Sequence, residues 1–355
     1  MIVKDERAFL DRCLCSVSEM VDEIIIVDTG STDDSPTIAR RHDATVIGIE
    51  WSGDFSQARN LSLAAASYSW ILVLDADEMW MHTLRTKSEF MDWLEAGSEE
   101  IWGYWIKVTS LLGDSGEERV TDEVCRLFRN DPRIGFRGRI HEEAASSILA
   151  LMPQGIRQSD IEVVHYGYLD AVITAKRKDV RNMSLIRLAL QQTPDQPELL
   201  YALATEWFQQ GKYNEALRLL LPLLARLDPA CGYHSDVMLK TAYAWRELGR
   251  PERALSVVET WASLYGDFPD LLELAAVLEL DQGRADMALG WLRKAKSAVP
   301  SAGRYTSVSG AGSYRSLTLE GMAHEHAGRW TEAEEAYTAA LGMQPNHGAA
   351  WQRLL

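Results

Sequence analysis

Apolar positions follow two regimes along this chain, and the change falls near residue 197. Before it, apolar residues come in short runs; after it, they recur at helical spacing. The densest run is Trp70-Ile-Leu-Val-Leu74, followed at once by Asp75, Asp77 and Glu78. Five large apolar residues in a row fit a strand buried on both faces, as in the middle of a parallel sheet. Glu23-Ile-Ile-Ile-Val27 predicts another such strand, Thr45 to Ile49 a shorter one, and Met1-Ile2-Val3 reads as the end of a first. Between them lie helical patterns: residues 8–20 with Phe9, Leu10, Leu14, Val17 and Met20 on one side, a segment through Ile38 and Ala39, and an Ala/Leu-rich stretch after Asn60. The β-α-β-α-β order predicts a doubly wound α/β sheet. Further on, 79–95 reads as an amphipathic helix, and Trp102, Tyr104 and Ile106 alternate as a strand with Trp105 on the other side.

Pro194 to Pro197 ends this regime. Gly211, Gly249, Gly283 and Gly328 each precede an alanine by five: Ala216, Ala254, Ala288 and Ala333. Seven before each glycine lies a small residue: Ala204, Ala242, Ala276 or Gly321. Small residues at fixed offsets let two antiparallel helices approach closely. The 34-residue step from Gly249 to Gly283 is the tetratricopeptide period. Steps of 38 and 45 carry insertions, the longer one in the Gly/Ser-rich segment 301–313. Four repeats are expected, with a short capping helix at the end. Their groove would present Tyr201, Glu206, Tyr243, Glu247, Glu273 and Glu320. The expected domains are 1–168 (α/β), 169–196 (linker helix) and 197–355 (repeats).

Composition narrows the partners. A net charge of -16 excludes a nucleic-acid backbone or an anionic membrane surface, which need a basic footprint. No apolar run reaches the roughly 18 residues of a spanning helix, so no membrane insertion is expected. Cys13, Cys15, Cys125 and Cys231 lack zinc-type spacing and read as reduced thiols of a cytoplasmic protein.

Chemistry gathers where predicted strands end. Lys4 and Glu6, then Asp28 to Asp33, then Asp75 to Glu78 would converge at one sheet edge, where open α/β sheets bind ligands. Asp75 and Asp77 repel each other on one face of a strand unless a cation lies beside them. Mg²⁺ or Mn²⁺, which share oxygen ligands with phosphates, is the natural candidate. A Gly-rich phosphate loop is absent, so a nucleotide diphosphate would be neutralised by metal and arginine. Arg126, Arg129, Arg133, Arg137 and Arg139 form an unusual basic cluster, of which some would bind the diphosphate or the acceptor. Lys176 and Arg181 would either close over the diphosphate or form a solvated helix face.

These segments resemble a family 2 glycosyltransferase of the GT-A fold. The resemblance rests on Ile2 to Glu6, Ile26 to Asp33, Asp54-Phe-Ser-Gln-Ala-Arg-Asn60 and Leu74 to Glu78. Arg126 to Arg129, Gly138 to Glu143, His165 to Tyr168 and Arg181-Asn182 are similar to a narrower group fused to tetratricopeptide repeats. Some of its members glycosylate peptides or proteins, including bacteriocin cysteines. The resemblance implies an α/β GT-A domain with a Rossmann-like mixed sheet and inverting transfer from a UDP-sugar. It puts Val3, Glu6, Asp28, Arg59, Asp75, Ala76, Arg126, Lys176 and Arg181 about the nucleotide sugar, with Val3 and Asp28 at the base and Arg59 beside base or ribose. It implies Asp77 as the more direct metal ligand, with Asp75 and His165. An inverting enzyme needs a group to take the acceptor's proton. Glu142 with His141 beside it is the first candidate and Glu143 the second, unless that glutamate caps the next helix. The repeats would bind a protein or peptide acceptor or pair two copies as a homodimer. A polysaccharide or lipid-linked acceptor, and a repeat scaffold with an inactive transferase domain, are the alternatives.

Overall fold

The computed structural model describes residues 1–81, 86–97, 99–114, 116, 118–172, 178–299 and 304–354, without the side chains of 178 and 179. The chain forms two compact units, Met1–Gln192 and Thr193–Leu355.

In the first unit, β1 (Ile2–Val3), β2 (Ile25–Asp28) and β3 (Thr45–Gly48) form a parallel sheet in that order. Helices α1 (Leu10–Val17), α2 (Ser35–Arg41) and α3 (Phe55–Ala65) follow the three strands in turn. Val3 pairs with Asp28, so the loops leaving β1 and β2 start side by side. They are then knitted together. The Asp5 amide donates to Ser31 Oγ, the Glu6 amide to Ser35 Oγ, the Arg7 amide to Asp33 Oδ2, and the Thr32 amide to Asp5 Oδ1.

A second sheet has the order β4 (Trp70–Leu72), β7 (Glu118–Arg129), β6 (Gly103–Leu112), β8 (Ile156–His165), β5 (Glu78–Met81). Here the expectation for 70–74 needs correcting. β4 runs antiparallel to β7, with Trp70 opposite Arg129, and is not the centre of a parallel sheet. The continuous apolar run keeps its meaning, because both faces are covered. Trp70, Leu72 and Leu74 pack with Phe90, Tyr104 and Ile106, while Ile71 and Val73 pack with Phe128, Phe136 and Ile148. The helix expected over 79–95 is also shorter. Glu78 to Met81 is strand, its Glu78 and Trp80 buried and paired antiparallel to β8. The helix α4 (Lys87–Glu95) starts at a capping box, where Thr86 and Glu89 satisfy each other's backbone amides. α5 spans Ala145–Leu151, and the last helix of this unit is α6 (Lys178–Gln192). The helix expected to be a linker therefore belongs to the first unit. Met183, Leu185, Ile186 and Ala189 are buried, and Arg181 lies over the ring of Phe55.

The helices among the described residues of the second unit are four pairs and a short last helix: Pro197–Gln209 with Tyr213–Arg226, His234–Glu247 with Pro251–Trp261, Pro269–Asp281 with Ala285–Ser297, Tyr314–His326 with Trp330–Met343, then Gly348–Leu354. Each pair turns at one of the four glycines, with φ from 68° to 73°, a left-handed conformation that suits glycine. The small residues lie at the helix crossings: Ala204, Ala242 and Ala276 are fully buried, and a Cβ at Gly321 would lie 2.4 Å from the Tyr337 ring. Two expected groove residues are interior instead, Glu206 and Glu273. Glu273 lies under the insertion: it accepts from the Gly312 amide and Ser316 Oγ, and Asp270 accepts from the Val308 amide. Tyr305 stacks on Phe268 at 4.2 Å. Among the described residues no helix is long and apolar enough to cross a membrane.

Gly321→Ala is expected to destabilise the repeat unit by about 1–3 kcal/mol through overpacking against Tyr337. Gly342→Ala is the control, since nothing lies within 4 Å of its added Cβ. Urea unfolding should separate the two; equal stability of both variants would refute the close crossing.

Candidate active site

The acidic motif after β4 does not continue as a strand. The Glu78 amide donates to the Asp75 carbonyl, closing a turn over Ala76 and Asp77, and the Asp75 amide donates to Glu78 Oε2. The carboxylates consequently part company. Asp75 Oδ1 accepts from Arg59 Nη2 at 2.7 Å and Asp75 Oδ2 from Arg126 Nη2 at 3.2 Å. Arg126 Nη1 also donates to Glu78 Oε2 at 2.8 Å. Asp77 has a different partner, its Oδ1 3.5 Å from His165 Nε2.

Each partner arrives on a predictable element. Asp54 accepts from the Gln57 amide and so caps α3, whose second turn presents Arg59. Arg126 comes from β7, the strand paired with β4. His165 ends β8, directly opposite Glu78 in the β5 pairing, and its Nδ1 lies 3.2 Å from Ser110 Oγ on β6. Glu142 reaches in from the loop before α5, where Gly138 and His141 have left-handed backbone (φ 101° and 54°). Glu142 Oε1 accepts from Arg59 Nε at 2.6 Å. One guanidinium therefore holds both Asp75 and Glu142.

Electrostatics follow from burial. Arg59 is 8% exposed. Burial alone would lower its pKa, but Asp75 and Glu142 more than offset that and raise it. Burial would raise that of Asp75, yet Arg59 and Arg126 hold it well below the usual carboxylate range. Glu78, 2% exposed, goes the other way: burial raises its pKa despite Arg126. Arg59 Nη1 is buried with no hydrogen-bond partner among the described residues, a donor the protein leaves unused.

Several expected residues sit differently. Arg59 is committed to two carboxylates rather than lying open for a base or ribose. Asp75 has an arginine on each oxygen. Among the described residues only Asp11, Cys15 and His42 bring three ligand atoms within 4.8 Å of one another. Asp28 accepts from the Ser31 amide and so shapes its own turn. Val3 is buried, its carbonyl accepting the Thr29 amide, and Ala76 is buried beside it. Glu6 accepts the Phe9 and Leu10 amides through its carbonyl, starting α1. Glu143 accepts from the Ser146 amide at 2.8 Å, capping the first turn of α5, and His141 is exposed. Arg181 donates to Asn182 Oδ1. Lys176 lies outside the described residues. Sequence reading missed Ser110 and the ion pair of Glu78. The Asp75-to-Glu78 spacing hinted at a turn, but only strand register brings in Ser110.

Arg126→Met is expected to cost about 3–5 kcal/mol, because it leaves buried Glu78 without its cation. Asp75 has a depressed pKa in the folded state, so its stabilising contribution is present above the unfolded value near 4 and is lost on acidification below it. The stability gap between the wild type and Asp75→Asn should therefore shrink as pH falls from about 4. A gap that stays constant in acid would contradict the ion pairs.

A glycosyl transferase family 2 profile matches residues 1–101, and a tetratricopeptide repeat profile matches 201–267 and 312–354. A TPR repeat-containing protein of Synechococcus elongatus is 32% identical over 311 residues, which cover 84% of this chain and 75% of that protein. The SPbeta prophage-derived glycosyltransferase SunS of Bacillus subtilis is 29% identical over 220 residues, 61% of this chain and 50% of SunS. An uncharacterized glycosyltransferase of Rickettsia felis is 37% identical over 151 residues, 42% of this chain and 53% of its own. The chain thus spans about half the length of these named glycosyltransferases. A transferase match over the strands that carry the acidic motif, a repeat match over the helix pairs, and a relative alike across both units establish that the chain belongs to the family 2 glycosyltransferases with tetratricopeptide repeats.

Proposed function

We propose that this chain moves a sugar from a UDP-sugar to a protein or peptide side chain, with inversion at the anomeric carbon. The observation that carries the reading is the Arg59 fork: one buried cation fixes the candidate base, Glu142, relative to the acidic motif of the donor site. Glu142 Oε1 is bound to Arg59, so Oε2 is the atom that takes the acceptor's proton. As the acceptor oxygen or sulfur bonds to the anomeric carbon, the bond from that carbon to the diphosphate breaks and UDP leaves with the electron pair. Arg126 supplies fixed positive charge beside Asp75, and preorganised charge is worth most in such a buried setting.

The residues fit a divalent cation, though on a smaller ligand set than Asp75, Asp77 and His165. Asp77 and His165 offer an oxygen and a nitrogen 3.5 Å apart, and both side chains are largely buried. With Nε2 as ligand, Nδ1 carries the proton and donates to Ser110 Oγ, which fixes the ring. Mg²⁺ or Mn²⁺ would supply charge that stabilises the departing diphosphate. Asp75 orients the arginines instead.

The repeats support a macromolecular acceptor. On the first two pairs, Tyr201 and Tyr233 stack at 4.9 Å, with Asp236 and Lys240 bonded to Tyr201. Aromatic and charged groups at half-buried positions of a solenoid suit an extended peptide.

Glu142→Gln should lower kcat for UDP release about 10²–10⁴-fold while labelled UDP still binds. Unchanged turnover would remove Glu142 from the role. His165→Ala should raise the Mn²⁺ concentration needed for half-maximal rate, and an unaltered requirement would move the cation elsewhere. Mass spectrometry of candidate peptides incubated with a panel of UDP-sugars tests the acceptor; UDP release with no modified peptide would overturn that part.

A further inference from the structure

A second cluster of metal-ligating side chains lies outside the active site, on the helices that follow β1 and β2. Helix α1 buries Leu10, Cys13, Leu14 and Val17 and turns Asp11 and Cys15 outward. These two are four apart, one helical turn, so they stand one above the other on the exposed face. His42 comes from the end of α2. There the chain stops its helix: the His42 amide bonds back to the Ala39 and Arg40 carbonyls, and Asp43 turns left-handed at φ 55°. That reversal brings the imidazole over α1, with Nε2 3.0 Å from Asp11 Oδ1. The Cys15 thiol completes a set of three donor atoms that all lie within 4.8 Å of one another.

We propose that Asp11, Cys15 and His42 bind a zinc ion as three protein ligands of an open tetrahedral site, water being the fourth. The donor chemistry selects the metal class. Thiolate and imidazole disfavour Mg²⁺ and Ca²⁺, whereas one sulfur, one nitrogen and one carboxylate oxygen suit Zn²⁺. Charge agrees: a thiolate and a carboxylate neutralise the dication with a neutral imidazole. Around a zinc ion with bonds of about 2.0–2.3 Å, ligand atoms stand roughly 3.3–3.8 Å apart. The three groups therefore need only a small closure, and Asp11 and Cys15, being exposed, can make it by rotating their side chains. Cys13 takes no part, because its thiol is buried and donates to the Asp75 carbonyl. The ion would pin α1 to α2. Binding the folded form alone, it would raise the unfolding temperature.

CoCl₂ titrated into metal-free full-length protein tests the site, because only a thiolate ligand gives a sulfur-to-cobalt charge-transfer band. The band is expected to saturate at one equivalent, to vanish in Cys15→Ser, and to be displaced by ZnCl₂. Zn²⁺ affinity, measured by competition with a chromophoric chelator, should fall roughly tenfold or more in Cys15→Ser and in His42→Ala. Both variants should melt like the wild type in chelator; should His42→Ala fail to fold, Cys15→Ser decides alone. No band in the wild type, or a band that survives Cys15→Ser, would overturn the site. The cation proposed at Asp77 and His165 has no sulfur ligand, so the two sites cannot be confused in this experiment.

Discussion

Everything in the candidate site depends on two arginines buried among three carboxylates. Arg59 joins Asp75 to Glu142, and Arg126 joins Asp75 to Glu78. The four segments that supply these residues belong to α3, the turn after β4, β7 and the loop before α5. None could bury its charge alone. The lattice makes their positions mutually conditional. The Coulomb gain must offset a desolvation cost of several kcal/mol per ion, so such an arrangement is weak evidence for stability in itself. Its effect is to fix Glu142 relative to the turn at 75–78.

Asp77 and His165 form a separate pair next to that lattice. The turn at 75–78 sends one aspartate to the arginines and the next to the histidine. Two residues that alternate in a strand would share a face; two residues in a turn do not. A single local bend thereby gives the two aspartates of a repetitive acidic motif different partners.

Much of this was legible in the chain. The switch from short apolar runs to glycine-marked helical repeats located the second architecture, and the spacing of Gly211, Gly249, Gly283 and Gly328 gave its turns. The strands that lead to Asp28 and Asp75 were visible from apolar runs that stop abruptly. Direction and pairing were not visible, because periodicity reports burial and says nothing of neighbours: Trp70–Leu72 reads the same whether its partner is parallel or antiparallel. Likewise Arg59, Arg126 and Glu142 could be picked out as unusual, but their bonding to one another depends on register between strands more than 50 residues apart in the case of Asp75 and Arg126. The Thr86 capping box was readable and was overlooked in favour of a longer helix. Glu273 was misread as a groove residue for a similar reason: an insertion's landing place leaves no mark on the helix it covers.

That insertion alters how the array can deform. A solenoid is ordinarily an elastic series, each helix pair touching only its neighbours and yielding a little at every joint. Here the residues leading into Tyr314–His326 reach back to clasp Asp267, Asp270 and Glu273 at the start of the preceding pair. They act as a strut across a whole pair, so the third and fourth pairs should move as one rigid block and bending should concentrate in the first two.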